Sequence, residues 1–390
     1  MALFILFLGS FCLGTAEFMA TGLLPQVAAD LGISIPAAGT IVTAYALGVA
    51  FGGPVLAVLL GGLPRKTVLI GLIALFAAAQ VLAAFAPSFE LLLAARVLGA
   101  ACQGAFLGIA GLVAVSVAGP GRSGFALSLL VAGFTVANIL GLPGGTIIGS
   151  AFGWRLSFLA LGAIAVIVAL LVLLLVPAIR SETGQQAPLA RQFRALAHRD
   201  VILSYAVMAL ASIGFFSIFT FITPLLTTVT KLDATTVPAL LLAFGIGSTA
   251  GALTGGRLAD WRPTPSVIVI LLGEIAVFAT ILVASDRPVP MMIAVIVLGF
   301  CAFAYAPSLF VRLFTAAKDA PDLASTLIST AFNIGIATGS TLGAVALANG
   351  ASYPSLAWIG IAAAGTAIVA VLAMAISRED EPELLAQPAE

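Results

Sequence analysis

Three ionisable residues, Glu17, Arg96 and Glu274, stand deep inside long apolar runs of a 390-residue chain. A carboxyl group in hydrocarbon is costly as an anion and tolerable as a neutral acid, whereas a nearby cation favours the anion. A carboxyl that alternates between two such surroundings can therefore take up a proton and give it up again. Glu17 lies near the middle of the first apolar run, about 20 Å from its end at 1.5 Å per residue, and is placed for that work or for contact with a substrate. The plainer alternative is a permanently paired structural carboxylate. Arg96 stays charged, so it cannot carry the proton. Its five donors can tune Glu17 through a carboxylate contact or brace helices by holding backbone carbonyls, and the two roles are compatible.

Amides and rings are the candidates for holding a solute. Asn138 and Asn333 stand in the fifth and eleventh apolar runs. Amides inside lipid must find partners, so the pair either bonds between helices or faces a central cavity, offering donors and acceptors to a neutral polar substrate. Phe215, Phe216, Phe219 and Phe221 crowd the seventh run, and Tyr305 lies in the tenth. Most of the 25 phenylalanines must face lipid or neighbouring helices. A few rings around an apolar cavity, with Tyr45, Phe219, Phe244 and Tyr305 as candidates, suit an aromatic, weakly polar compound. No intramembrane cluster of acids points to a polycation. One histidine, His198, and three cysteines, Cys12, Cys102 and Cys301, without metal-ligand spacing, give a metal or His-based catalysis almost no material. No catalytic residue, metal or cofactor is expected.

The elements that must position these residues follow from composition. The chain is 62% hydrophobic and 8% charged, with a mean hydropathy of +1.22, where soluble domains carry about a quarter charged residues. That excludes a soluble globular domain, and the apolar content excludes a disordered chain. Sixteen basic and 16 acidic residues balance, and no basic cluster suggests a nucleic-acid partner. The 40 glycines suit closely packed membrane helices. A hydrocarbon core about 30 Å thick takes about 20 apolar residues per helix. Apolar runs broken by charge, Pro and Gly predict twelve spans, at 3–28, 36–60, 67–86, 90–117, 123–149 and 156–178, then 201–227, 237–259, 265–285, 288–314, 321–349 and 353–377. Leu3 to Leu13 with Gly14-Thr15-Ala16 has the look of a secretory signal, but no basic residue precedes it and the run continues past Glu17 to Ala29. It is read as the first span.

Orientation tests the count. With the N-terminus cytoplasmic, twelve basic residues (Arg65, Lys66, Arg122, Arg180, Arg191, Arg194, Arg199, Arg257, Arg262, Arg312, Lys318 and Arg378) fall inside, and three (Arg155, Lys231 and Arg287) fall outside. An internal repeat divides the chain. Leu23-Leu24-Pro25 matches Ile222-Thr223-Pro224, Gly48, Gly52 and Pro64 match Gly247, Gly251 and Pro263, and Tyr45 matches Phe244, all at a separation of 199. The expected domains are a six-helix bundle at 1–179, a cytoplasmic linker at 180–200, a second bundle at 201–377 and a cytoplasmic tail at 378–390. An even number of spans per half gives both halves the same orientation.

Span five, Gly133-Phe-Thr-Val-Ala-Asn138-Ile-Leu-Gly141-Leu-Pro143-Gly144-Gly145, resembles the glycine-proline motif of antiporters in the major facilitator superfamily, with Gly141, Pro143, Gly144 and Gly145 as its core. Gly153-Trp154-Arg155 follows, as in the same branch. Arg96 with Gln103-Gly104 resembles the span-four motif whose arginine lies near the coupling site, which adds Gln103 to the candidate substrate contacts. Gly14-Thr15-Ala16-Glu17-Phe18-Met19 with Gly22-Leu-Leu-Pro25 resembles the first helix of bacterial chloramphenicol exporters and their sugar- and nucleoside-efflux relatives. The superfamily's loop after span two usually has an Asp-Arg pair; Arg65 and Lys66 keep its basic end without the acid, and the second-half copy keeps Asp260 with Arg262. A cytoplasmic gate is thus expected from these four residues, mainly from the second half. The resemblance also places span nine outside the central cavity, which favours a packing or interfacial role for Glu274, with proton coupling as the alternative.

The resemblance implies an all-α integral membrane protein with twelve transmembrane helices in two pseudo-symmetric six-helix bundles, the major facilitator fold. It further implies a monomer in a bacterial inner membrane that exports a small neutral or amphiphilic compound, chloramphenicol-like, in exchange for protons by alternating access. Its partners would be the small-molecule substrate, protons and the lipid bilayer. Glu17 would be protonated from outside and deprotonated inside. The alternative cargo is a sugar or nucleoside. An intramembrane enzyme lacks a nucleophile–base set here, ATP-driven transport lacks a nucleotide-binding loop, and a non-transporting sensor is the remaining different class.

Overall fold

The computed structural model describes residues 1–119, 122–177, 199–316 and 321–379. Most of the expected linker, with Arg180, Arg191, Arg194 and His198, lies outside the described residues, as do Lys318 and the tail beyond Glu379.

In lipid the backbone has no water to bond, so a single crossing segment must satisfy its own N–H and C=O groups, and a helix does so. Twelve helices among the described residues are long and apolar enough to cross a membrane: α1 (Ala2–Leu31), α2 (Ile35–Leu60), α3 (Arg65–Ala84), α4 (Phe89–Ala118), α5 (Gly124–Phe152), α6 (Trp154–Leu175), α7 (Arg199–Phe219), α8 (Val237–Trp261), α9 (Pro263–Ala284), α10 (Pro288–Leu313), α11 (Leu327–Ala348) and α12 (Pro354–Met374). They match the twelve expected spans to within a few residues, except that α7 stops short and continues, after a break at Thr220 and Phe221, through Ile222–Pro224 and Leu225–Val229. Their ends carry local signals. Gly32 closes α1 in the left-handed conformation at φ 63°, which costs glycine nothing. Ser34 and Ser88 accept the N–H of Ala37 and Leu91 at the starts of α2 and α4.

Packing repeats between the halves. In the first half α2 lies on α4, α1 on α5 and α6, and α3 on α4 and α6; in the second α8 lies on α10, α7 on α11 and α12, and α9 on α10 and α12. Raising each helix number by six converts one set into the other. This is the two-bundle architecture implied by the sequence.

Prolines perturb the helices in ways the apolar pattern does not reveal. One turn of wider π-helix occurs at Gly48–Gly52 in α2 and at Ala137–Gly141 in α5, each ahead of a proline, Pro54 and Pro143. A third, Leu225–Val229, follows Pro224 directly. Proline has no N–H for the carbonyl four residues back and its ring crowds that carbonyl; a wider turn accommodates both. Where it does not, the helix opens, as α7 does ahead of Pro224 and α10 at Tyr305 ahead of Pro307.

The halves meet along α2–α11 and α5–α8, with α1 touching Ile222–Pro224. Thr43 on α2 shares hydrogen bonds with Ser340 and Thr341 on α11, at 2.7 and 3.2 Å. A Cβ added to Gly245 on α8 would lie 2.6 Å from the Asn138 carbonyl oxygen and 2.7 Å from Ile139 Cα on α5. Only a glycine permits that approach. One added to Gly39 would lie 2.5 Å from the Phe221 ring. Thr330, near the start of α11, adds a contact to the Ala50 carbonyl of α2 at 3.5 Å.

Candidate functional site

Glu17 sits on α1 between two kinds of neighbour. On the α5 side, a Cβ added to Gly145 would lie 2.9 Å from Met19 Cβ, and one added to Gly141 or Gly149 would lie closer still to Thr15 or Leu23. Residues four apart lie one above another on a helix face, so the glycines 141, 145 and 149 form a groove that receives Thr15, Met19 and Leu23. Pro143 is buried beside them, while Gly144 points away into open space. The glycine-proline motif thereby fixes α1 at close range and leaves Glu17 free to face α2 and α4.

There Glu17 meets three of the residues singled out from sequence. The Gln103 side-chain N–H donates to the Glu17 carboxylate at 2.5 Å, and the Tyr45 hydroxyl donates to the Gln103 amide oxygen at 2.6 Å. Arg96 donates to the backbone carbonyl of Ala16 at 2.8 Å, and its guanidinium carbon stands 3.9 Å from the centre of the Tyr45 ring. The four side chains, from α1, α2 and α4, are all buried. Arg96 is 1% exposed, yet its Nε and Nη2 have no hydrogen-bond partner among the described residues, and no carboxylate lies within ion-pair distance. The charge is supported instead by a carbonyl, the π face of Tyr45 and the neighbouring Glu17. Buried donors without partners are costly. Arg96 is thus braced to the backbone beside Glu17 and retains two donor nitrogens that no group among the described residues uses.

Next to this polar group lies an aromatic one. Phe219 and Phe244 stack with centres 4.6 Å apart, Phe215 stacks on Phe219 at 4.7 Å, and Phe216 meets Phe215 edge-on at 4.8 Å. Phe216 in turn faces Phe18 across the two halves at 6.4 Å and Phe332 of α11 at 6.1 Å. At the repeat separation of 199, Glu17 corresponds to Phe216 as Tyr45 does to Phe244. The symmetry-related places therefore carry Glu17 and Tyr45 in one half and phenylalanines in the other.

Other candidates lie elsewhere. Asn138 and Asn333 are 2% and 3% exposed, on α5 and α11. Each amide nitrogen donates to its own helix, to Phe134 at 3.4 Å and Ser329 at 2.9 Å, and each amide oxygen has no partner among the described residues. They occupy the two seams between the halves. Tyr305 is buried at the break in α10, in an apolar cluster distinct from the one holding Tyr45, Phe219 and Phe244. Of the gate residues, Asp260 and Arg262 are exposed, Arg65 and Lys66 half-buried, and no ion pair joins them. The one ion pair among the described residues is Arg155 with Asp30. Asp30 also accepts from the Trp154 indole at 3.2 Å, while Arg155 donates to the Ala86 carbonyl at 3.2 Å. This tie between the ends of α1, α3 and α6 explains the Trp154-Arg155 pair; its acid partner has no sequence signal. Phe18 and Phe332 were equally hidden, as two among 25 phenylalanines.

A family model described as the Major Facilitator Superfamily matches residues 6–320. The chain is 34% identical over 351 residues to a chloramphenicol resistance protein of Streptomyces lividans, covering 88% of each chain. It is 32% identical over 376 residues to the inner membrane transport protein YdhP of Escherichia coli (strain K12), covering 96% of this chain and 95% of that one. A solved structure of a bacterial homologue of the human lysosomal transporter Spinster, inward-facing and unoccupied, shares the fold at a TM-score of 0.68. That likeness covers 96% of this chain and 94% of the other at 16% identity.

Proposed function

The chain belongs to the Major Facilitator Superfamily, and on that premise we propose that it is a proton-coupled antiporter of a bacterial inner membrane. It exports a small neutral or amphiphilic compound, chloramphenicol or a related drug. The observation that carries this reading is the Glu17–Gln103–Tyr45–Arg96 group lying against the rings that join the halves. An acid in a dry, donor-lined site can exchange a proton, and a neighbouring aromatic surface can hold an apolar solute.

With both termini cytoplasmic, as the distribution of basic residues favours, the Thr43–Ser340 and Gly39–Phe221 contacts between the halves lie nearer the outer side, and the described conformation holds the halves together there. In the cycle, Glu17 takes up a proton from outside as the drug leaves. The halves rock, the proton passes to the cytoplasm, and the vacated site accepts the next drug molecule. Gln103 donates to the carboxylate oxygen that forms, and Arg96 supplies a fixed positive charge that favours its release of the proton. The unpartnered amide oxygens of Asn138 and Asn333 offer acceptors to a hydroxyl- or amide-bearing solute as the seams part. The cytoplasmic gate of Arg65, Lys66, Asp260 and Arg262 closes in the opposite state.

The name of the Streptomyces relative supports chloramphenicol as the first cargo to try. The test is a compound panel in cells lacking their main exporters, with and without a protonophore. Chloramphenicol tolerance that vanishes with the proton gradient is expected. Loss of a sugar or nucleoside, with no effect on drug tolerance, moves the assignment to those cargoes; improved nutrient uptake reverses its direction.

A further inference from the structure

Glu274 occupies the middle of α9 with 0% of its surface exposed, and neither carboxyl oxygen has a hydrogen-bond partner among the described residues. One turn away on either side, Ile270, Leu271, Val277 and Phe278 are buried as well, so the carboxyl lies on the packed face of α9. The titratable groups within its electrostatic reach are Cys301 and Tyr305 of α10. Within the span of α12 no residue is titratable, and Tyr353 stands just before that helix. Arg257 and Asp260 of α8, and Arg312, which hydrogen-bonds Thr264, flank the start of α9, about 15 Å along the helix from Glu274; Asp286 and Arg287 flank its far end at about the same remove. An ionised carboxylate here would have no contact with solvent and neither a donor nor a cation beside it among the described residues. The neutral acid is the form this site accommodates.

A permanently neutral acid with no donors gains nothing over an amide or a methionine of like size, and intramembrane acids are retained for work. The break in α10 at Tyr305 gives the site a part that can move: Tyr305 is a non-helical link between two helical pieces, and Cys301 lies one turn before it. A Cβ added to Gly273 would be 3.4 Å from Cys301 Sγ, so α9 and α10 are in direct contact beside the acid.

We propose that Glu274 is a second proton-binding group of the transport cycle, carrying a proton in the described conformation and losing it when α10 bends at Tyr305. The carboxyl O–H bond breaks, its electrons stay on the carboxylate, and the proton passes to water admitted at the opened break. Glu17 and Glu274 together then move two protons for each drug molecule. This rests on the antiport reading given above.

Two measurements test it. In proteoliposomes the native chain is treated with dicyclohexylcarbodiimide, which adds to protonated carboxyls in apolar surroundings, and the Glu274 peptide is followed by mass spectrometry. An adduct whose yield falls as the buffer is made alkaline is expected; no adduct, or a constant yield marking a sealed acid, overturns the proposal. This arm needs no substrate, so it stands even if chloramphenicol is not moved and the antiport reading fails. In the second, the chloramphenicol gradient sustained by one unit of pH difference is measured with the membrane potential held at zero. The native chain should sustain about a hundredfold gradient and Glu274→Gln about tenfold, each proton contributing one factor of ten, with Glu274→Asp restoring the native value. A native gradient of tenfold, or a Glu274→Gln gradient equal to the native one, contradicts a second proton. Gln replaces the neutral acid atom for atom, so its thermal unfolding should match the native chain; if it does not fold, the adduct measurement decides.

Discussion

Gln103 donates to Glu17 at 2.5 Å while its amide oxygen takes the Tyr45 hydroxyl at 2.6 Å, so one amide ties α1 to α2 through α4. Both ends of the amide are used, and that fixes its orientation. The Glu17 carboxyl is therefore held by a neighbour that can act only as donor toward it.

Loss of Tyr45 or Gln103 should separate coupling from folding. Tyr45→Phe leaves the Gln103 oxygen unpaired, a cost of about 1–3 kcal/mol for a buried polar group, while keeping the ring under Arg96. Initial export rates should fall by about tenfold, with the protein still monodisperse in detergent. Gln103→Leu removes the donor to Glu17 as well and should fall further. Equal rates for both variants and the native chain would remove this chain of hydrogen bonds from the mechanism.

The glycine groove makes a stability prediction. Gly145→Val places methyl groups on Met19 Cβ, which an added Cβ already meets at 2.9 Å. Overpacking of this kind costs about 1–3 kcal/mol, and thermal unfolding in detergent should come at a visibly lower temperature. The same substitution at Gly144, which faces open space, should leave the unfolding temperature close to native.

How much of this was legible in the sequence differs by element. The twelve helices were, because a lipid-crossing helix must be long, apolar and bounded by charge or proline. Glu17 and Arg96 stood out because a charge in such a run is rare, and Tyr45 and Gln103 proved to be their neighbours. The hydrogen bond that joins Tyr45 to Gln103 spans 58 positions, and nothing local encodes it. The π turns at Gly48–Gly52 and Ala137–Gly141 were hidden because a proline in an apolar run says only that the helix is perturbed, not how. Asp30 was overlooked because its partner Arg155 comes from another helix, and Tyr305 was grouped with Tyr45 although it packs in a separate cluster.

Closure between the halves depends on Gly245. An added side chain would meet the α5 backbone at Asn138 and Ile139, and backbone cannot yield as a flexible side chain can. Gly245→Val should therefore disfavour the conformation described here. Spin labels placed near Phe152, at the end of α5, and near Val237, at the start of α8, should report a longer distance in the variant than in the native chain. An unchanged distance would show that the seam relaxes without opening.

The central claim is that Glu17 carries a proton against the drug, and the most direct measurement is drug-driven proton movement in proteoliposomes loaded with a pH indicator. Adding chloramphenicol on one side should produce a pH change in vesicles with the native chain and a clearly smaller one with Glu17→Gln, in which only the proton assigned to Glu274 is left to move, although that variant still exchanges labelled for unlabelled drug. A full pH change in the Glu17→Gln vesicles would contradict the account.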